Sequence, residues 1–338
     1  MHILVTGATG RIGAHLTRLL IDEGHTVRAF VLPDDPRIAL ITMSGVEFVY
    51  GRLEDTGSIA EAVKCVEAVY HLAGALTSRG NTDEEFFELN LRGTFNLLMA
   101  IRDNVPRIKR FIYASSDAVY HSGASSSGSY LPADETHPRL AGTIYGASKI
   151  GSEELCLTFM RGFGIPITIL RFGATADAAE LIEPQSVFAR WLFLQEAINF
   201  FETLPAQSPS QLETLAILKS LDKGTESLVI MVDEAGNSEI REWSDARDVA
   251  AGCVQALTPE AAIGEAFNLG GVAPFSSAEL VEYLAAKLNL PYVTAKLPKT
   301  RSAWYISSAK ARGIFGYAPR YTIFDMVDEA LAMQATQR

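Results

Sequence analysis

Cysteine is scarce in this chain: Cys65, Cys156 and Cys253 are the 3 cysteines among 338 residues. They lie far apart, with no Cys-x-x-Cys pair and no histidine partner at metal spacing. That excludes a disulfide framework and the common zinc sites, and a reducing cytoplasm is the expected location. Long apolar runs are also missing. None approaches the roughly 18 residues that cross a bilayer, so no membrane partner is expected. Met1-His2-Ile3-Leu4-Val5 runs directly into a glycine-rich turn, without a charged n-region or an apolar h-region, and no secretory leader is expected. Positive charge is in deficit: 29 Lys and Arg face 40 Asp and Glu, for a net charge of -11. No long basic run offsets it, which argues against nucleic acid as a partner. Between Gly173 and Gly224 glycine itself is absent.

What remains is ordinary for a soluble enzyme. Hydrophobic residues make up 48% and charged residues 20%, which excludes a disordered or collagen-like chain. The length suits one large domain, or a main domain with a smaller one attached. Ile3 to Val5, Thr26 to Val31, Glu47 to Tyr50, Ala68 to Leu72, Arg110 to Ala114 and Ile165 to Arg171 read as strands separated by helical patterns. Strands that are apolar on both faces, with helices between them, predict an α/β fold: a doubly wound parallel (Rossmann) sheet with ligands at its carboxyl edge.

In the glycine-free stretch, Val187, Phe188, Trp191, Leu192, Leu194, Ile198 and Phe201 form an apolar stripe, and Leu212, Leu215, Leu218 and Leu221 mark a second helix beyond Pro205 and Pro209. Packing explains them, and the same face can line an apolar substrate cleft. A strand at Ser227 to Asp233 and a helix from Asp245 to Leu257 lead back to the main body. Ser276 and Glu279 have capping-box spacing ahead of a helix ending at Leu288. The expected division is a dinucleotide-binding domain over 1–173, with 236–268 returning to it. A smaller, mostly C-terminal α/β substrate domain takes 174–235 and 269–338. His121 to Ser129, rich in serine and glycine, reads as a mobile loop.

Chemistry is concentrated in two places. Thr6-Gly7-Ala8-Thr9-Gly10-Arg11-Ile12-Gly13 follows the first strand and opens a helix. Glycines in that position let the backbone approach a pyrophosphate, while the helix start offers unpaired N–H groups and partial positive charge. The second strand ends at Val31 and Leu32, before Asp34 and Asp35. No cation stands at its tip to neutralise a 2′-phosphate and the two aspartates would repel one, so NAD is favoured over NADP.

Tyr145 and Lys149 stand at i, i+4, adjacent on one helical face. A tyrosine must shift by about 3 units, about 4 kcal/mol, to be half ionised at neutral pH. One ammonium about 4 Å away at an effective dielectric near 20 supplies roughly that much. The pair thus makes Tyr145 a candidate base. His71, inside an apolar strand, reads as a core residue.

With these motifs the chain resembles the extended short-chain dehydrogenase/reductase family, of the NAD-dependent sugar-nucleotide epimerase/dehydratase type. The likeness runs through His71-Leu72-Ala73-Gly74, Asn90 in Asn90-Leu91-Arg92-Gly93-Thr94, Ser115-Ser116-Asp117-Ala118-Val119-Tyr120, Tyr145 to Lys149, and Arg241-Glu242-Trp243 to Asp248-Val249-Ala250. It continues through Phe267-Asn268-Leu269-Gly270-Gly271 and Gly316 to Tyr321. The resemblance implies a catalytic set in which Ser116 orients the reacting hydroxyl, Tyr145 exchanges its proton, and Lys149 holds the nicotinamide ribose. It implies NAD contacts from Gly7, Gly10, Arg11, Ile12, Gly13, Leu32, Leu53, Leu72, Ala73, Gly74, Asn90, Ala114, Tyr145, Lys149 and Phe172. Ser116, Asp117 and Arg241 would meet a small-molecule substrate, with a nucleotide sugar as the family's type and Arg241 as its phosphate contact.

Departures narrow this. Asp117-Ala118 stands where the dehydratases carry Asp-Glu, which disfavours dehydration. Phe172-Gly173 stands where sugar-nucleotide enzymes commonly carry an Asn, and Arg52 where an adenine-binding Asp often lies. Three functions follow as expectations: an epimerase, a dehydrogenase or carbonyl reductase on a less polar substrate, and a dinucleotide sensor without catalysis. The intact Ser116, Tyr145 and Lys149 set argues against the last. Segments Asp83 to Arg102 and Tyr145 to Phe163 are apolar on more than one face, and the resemblance implies that they pair across a twofold axis in a homodimer.

Overall fold

A computed structural model of the chain describes residues 1–76, 81–120, 130–204, 207–298 and 303–337. Its first part reads β1 (His2–Thr6), α1 (Arg11–Asp22), β2 (Thr26–Val31), β3 (Val46–Tyr50), α2 (Thr56–Ala62) and β4 (Ala68–His71). Then follow α3 (Asp83–Glu85), a π-helical stretch Phe86–Arg92, α4 (Gly93–Asn104), β5 (Arg110–Ser116), α5 (Ile144–Phe163), β6 (Ile167–Phe172) and β7 (Ala174–Ala176). The remainder comprises α6 (Leu194–Glu202), α7 (Pro209–Leu221), β8 (Leu228–Val232), β9 (Ile240–Arg241), β10 (Trp243–Asp245), α8 (Ala246–Gln255) and β11 (Ala266–Leu269). It ends with β12 (Phe275–Ser276), α9 (Ser277–Leu288), β13 (Tyr292–Lys296), β14 (Ala303–Trp304), α10 (Ala309–Phe315) and α11 (Ile323–Gln337).

The doubly wound sheet is present. Its 7 strands run β11-β6-β5-β4-β1-β2-β3 and all pairs are parallel. The order turns back between β1 and β4, and such a reversal opens a crevice at the carboxyl ends of the strands. Both faces are covered, as fully apolar strands require. One side packs Ile3, Val5, Leu16, Tyr70 and Phe267 into one core, and the other packs Leu4, Val69, Leu98, Phe111 and Cys156 into another. Away from the sheet, β8 pairs with β13, and α9 and α11 close a further core around Leu228, Leu280 and Met326. Among the described residues no helix is long and apolar enough to cross a membrane.

Three local differences from the expected elements have physical reasons. β5 extends to Ser116 because Ser115 and Ser116 still pair with Arg171 and Phe172 of β6. The stripe beginning at Val187 is not one helix. The Leu192 carbonyl takes the Val229 N–H at 2.8 Å and the Leu194 N–H goes to the Ser227 carbonyl at 2.9 Å, so β8 uses groups that helix continuity would need. The amphipathic run from Asp83 carries the π-helical stretch around the buried Asn90, whose carbonyl takes both the Thr94 and the Ser152 hydroxyls. The serine-rich segment His121 to Ser129 lies outside the described residues.

Candidate active site

The glycine turn joins β1 to α1 at the crevice. Gly7 has φ +71°, and a side chain there would put its Cβ 2.7 Å from the Ala73 nitrogen; only glycine fits. Gly13, in the first turn of α1, lies so close to the Gly7 carbonyl that a Cβ would overlap it. Gly10 caps α1 without a side-chain hydrogen bond, leaving the first helical N–H groups for an anion. A cradle that any Cβ would fill, at a helix start, fits a dinucleotide pyrophosphate.

Arg11 has its backbone in this turn but its guanidinium outside it. The side chain forms a fork to the Glu180 carboxylate and lies over the Phe188 ring, 5.4 Å from its centroid. One turn on, His15 Nε2 meets Asp177 at 3.1 Å. Two residues of α1 thus clasp the turn after β7. Ile12 is half-buried against the sheet core.

At the tip of β2, Leu32 is 44% exposed. Asp35, by contrast, is buried and stitched to the glycine turn: its carboxylate accepts the Thr9 hydroxyl at 2.6 Å and a fork from Arg37 at 2.8 and 2.9 Å. The Arg37 hydrogen bonds hold the Asp35 carboxyl well below its usual range. A cation does therefore lie near this tip, contrary to the sequence expectation, but Asp35 occupies it. On the opposite wall Leu53 packs beneath Gly93, the Ala73 N–H reaches the Thr6 hydroxyl at 3.2 Å, and Gly74 faces the Asn90 side chain. Asn90 holds both the N–H and the carbonyl of Ala75, at 2.7 and 3.1 Å. His71 is a core residue, as expected: Thr6 and Thr94 hydrogen-bond its two nitrogens, and burial takes its pKa down to about 3.

Ser116, Tyr145 and Lys149 come together at the tip of β5. Thr143 caps α5 and starts it just before Tyr145, so Tyr145, Lys149 and Glu153 fall on one face at helical spacing. The Lys149 ammonium donates to the Ala114 carbonyl at 2.9 Å and sits 5.9 Å from the Tyr145 ring centroid. Ser116 lies close enough to Tyr145 to ease the ionisation of its phenol, while its hydroxyl donates to Asp117 at 3.2 Å and accepts the Ala118 N–H at 3.1 Å. Phe172, at the end of β6, is buried alongside.

Burial dominates the electrostatics here. It pushes the Tyr145 phenol up to about 12 against the relief from Ser116, and takes Lys149 down to about 8 against the pull of Glu153. The protein alone therefore keeps Tyr145 as a proton donor at neutral pH. The helical Tyr145–Lys149 pair does not by itself ionise the phenol, because desolvation of the enclosed ring outweighs one ammonium that has turned to a carbonyl. Behind the site Glu153 takes Ser115 at 2.6 Å and both arms of Arg171 at 2.8 Å, fixing α5 against β5 and β6.

On the substrate side, the Arg241 guanidinium donates to Glu239 at 2.7 Å and lies over Trp243. Asp117 accepts the Ser116 hydroxyl at 3.2 Å and the Trp304 indole N–H at 2.8 Å. Glu242 accepts the Gly271 N–H at 2.8 Å, and burial, with Asp117 nearby, raises its carboxyl to about 7. Glu242, Trp304, Asp35 and Glu180 were not recognised as site residues from sequence. Only Glu242 carried a signal, its place beside Arg241 in a recognised motif.

The sequence profile of the NAD dependent epimerase/dehydratase family matches residues 3–176, and the chain belongs to that family. A crystal structure of a short-chain dehydrogenase/reductase superfamily protein from Agrobacterium tumefaciens, with bound NAD, superimposes with TM-score 0.87 at 31% identity, covering 100% of this chain and 98% of that one. A 4-hydroxy-2-methyl-3-oxo-4-farnesyl-3,4-dihydroquinoline-1-oxide ketoreductase from Stigmatella aurantiaca is 28% identical over 95% of this chain and 93% of its own. Sterol demethylase protein B from Methylococcus capsulatus is 35% identical over 169 residues, 49% of this chain and 50% of that protein.

Proposed function

We propose that the chain is an NAD-dependent enzyme that oxidises and reduces a substrate carbinol carbon, with Tyr145 exchanging the hydroxyl proton. The observation that carries this is the convergence of Ser116, Tyr145 and Lys149 at the tip of β5, on the crevice that also holds the glycine turn. NAD, cradled at Gly7, Gly10 and Gly13, supplies the hydride acceptor and donor. Ser116 hydrogen-bonds the substrate oxygen and Tyr145 gives or takes the proton. Lys149, positioned by Ala114 and held charged by Glu153, keeps a positive charge within the enclosed site. In the reducing direction Tyr145 is already protonated and donates directly. In the oxidising direction it needs the further positive charge of the oxidised nicotinamide to act as a base.

Two outcomes share these residues. In an epimerase, the keto intermediate turns over and is reduced from its other face, with no net change in the cofactor. In a carbonyl reductase or dehydrogenase, the cofactor leaves changed. The second is favoured by a specific feature: Phe172-Gly173 and the Arg241–Glu239 pair leave a diphosphate without its expected contacts. The ketoreductase relative agrees with it. Denaturing the purified protein and identifying the released nucleotide, then following absorbance of the reduced nicotinamide with candidate substrates, separates them. Bound NAD with product formed and no net absorbance change identifies an epimerase; a stoichiometric change identifies a reductase. The three free thiols suit the cytoplasmic setting of this reading, and a homodimer through α4 and α5 belongs to it.

A further inference from the structure

Beyond Ser116, the crevice has a wall built from the C-terminal part of the chain. β14 pairs with β9 so that Trp304 stands beside Arg241, one residue before Glu242. The Trp304 indole is pinned by its N–H to Asp117, next to Ser116. Ile306 continues the same wall and approaches both Gly173 and Gly270. Glu242 lies directly over Gly270, where a Cβ would overlap its Oε1, and that oxygen takes the Gly271 N–H. No described residue donates to Glu242 Oε2. Behind Gly173 the fully buried Ser244 hydroxyl lies 3.6 Å from where a Cβ would stand and has no hydrogen-bond partner among the described residues. Buried hydroxyls are rarely left unpaired without reason.

We propose that Glu242, with Trp304 and Asp117, determines specificity by accepting hydroxyls of an uncharged, polyhydroxylated ring, and that it excludes a phosphate or carboxylate from this end of the crevice. This deepens the hydride-transfer reading and rests on it. Carboxylate oxygens are strong acceptors for hydroxyl donors, an indole offers a flat face for the C–H side of such a ring, and glycines at 173, 270 and 271 keep the floor low. The chemistry opposes an anion. Burial and Asp117 already raise the Glu242 carboxyl, so a second negative group enters only with a proton. The one arginine in the β9–β10 segment is held by Glu239.

The test is calorimetric titration of the NAD-loaded protein with neutral rings (D-glucose, D-galactose, myo-inositol), with D-galacturonate and with UDP-galactose. At least one neutral ring is expected to bind at least tenfold more tightly than either anion. Glu242→Gln keeps an acceptor for Gly271 but replaces the Oε2 acceptor by an amide donor. It should weaken the neutral ligand tenfold or more and narrow its advantage over galacturonate, with NAD affinity and circular dichroism unchanged. Tighter binding of an anion, unchanged affinity in Glu242→Gln, or no binding by any neutral ring would overturn the inference. Failure of the underlying reading is seen separately, as full turnover by Tyr145→Phe with any alcohol or ketone the enzyme accepts.

Discussion

At the scale of single residues, the site is governed by what burial does to charge. Tyr145 is enclosed and its phenol is pushed up to about 12, so the proton-exchange role proposed for it requires hydrogen bonding to the substrate oxygen and charge brought in beside it. Tyr145→Phe removes the exchangeable proton while preserving the edge-on contact with Phe86. Turnover should fall by roughly two to four orders of magnitude, with NAD affinity and folding retained, as steady-state kinetics and calorimetry would read. His71 makes a different prediction. Its folded pKa of about 3 lies below the ordinary 6.5, so the unfolded chain protonates first as the pH falls. Its contribution to stability is therefore complete above 6.5 and is lost on acidification, by about 1.4 kcal/mol per pH unit until the folded value is reached. Urea unfolding between pH 7.5 and 4 should give a shallower slope for His71→Gln than for the unaltered protein; parallel slopes would refute the assignment.

At the scale of elements, the glycine turn and the six strands of the first half were legible because both follow from local rules: apolar runs for a sheet covered on both faces, and glycines where a backbone must come close. The tyrosine and lysine were legible because helical spacing puts them on one face and the family resemblance singles out that pair. Contacts made by residues distant in sequence were not. Nothing local to Arg11 announces that Glu180 will take its guanidinium, and nothing local to Trp304 announces Asp117, because those pairings depend on how β7 and β14 return to the crevice. Arg241 is the opposite case: Glu239 is two residues back along the extended chain that enters β9, where positions i and i+2 face the same side. For the turn itself the expectation is sharp. Gly10 has an unstrained backbone (φ -72°) and its Cβ would stand 3.1 Å from the Gly7 carbonyl, so Gly10→Val should fold yet lose dinucleotide binding. Unchanged NAD affinity in a folded variant would remove the turn from the cofactor site.

For the whole molecule, the surface left over after folding is informative. Phe87, Phe95, Ile144 and Phe163 are 41 to 53% exposed on the helical elements Phe86–Arg92, α4 and α5, and Phe95 and Phe163 both pack on Phe159. Exposed apolar side chains on neighbouring helices suit a second copy of the chain. Sedimentation velocity is expected to show a dimer, weakened by Phe95→Glu; a monomer at all concentrations would refute it.

The last strand of the main sheet arrives late. β11 pairs with β6 although more than ninety positions of chain separate them, so while a ribosome is still making the middle of the protein, β6 presents an unprotected row of amide and carbonyl groups. Such margins recruit strands from other molecules. Newly made chains should thus depend on chaperones until Ala266–Leu269 emerges. A fragment comprising residues 1–176 should scatter light and precipitate at concentrations where the full chain stays clear, even though it contains the glycine turn and the whole of Ser116, Tyr145 and Lys149.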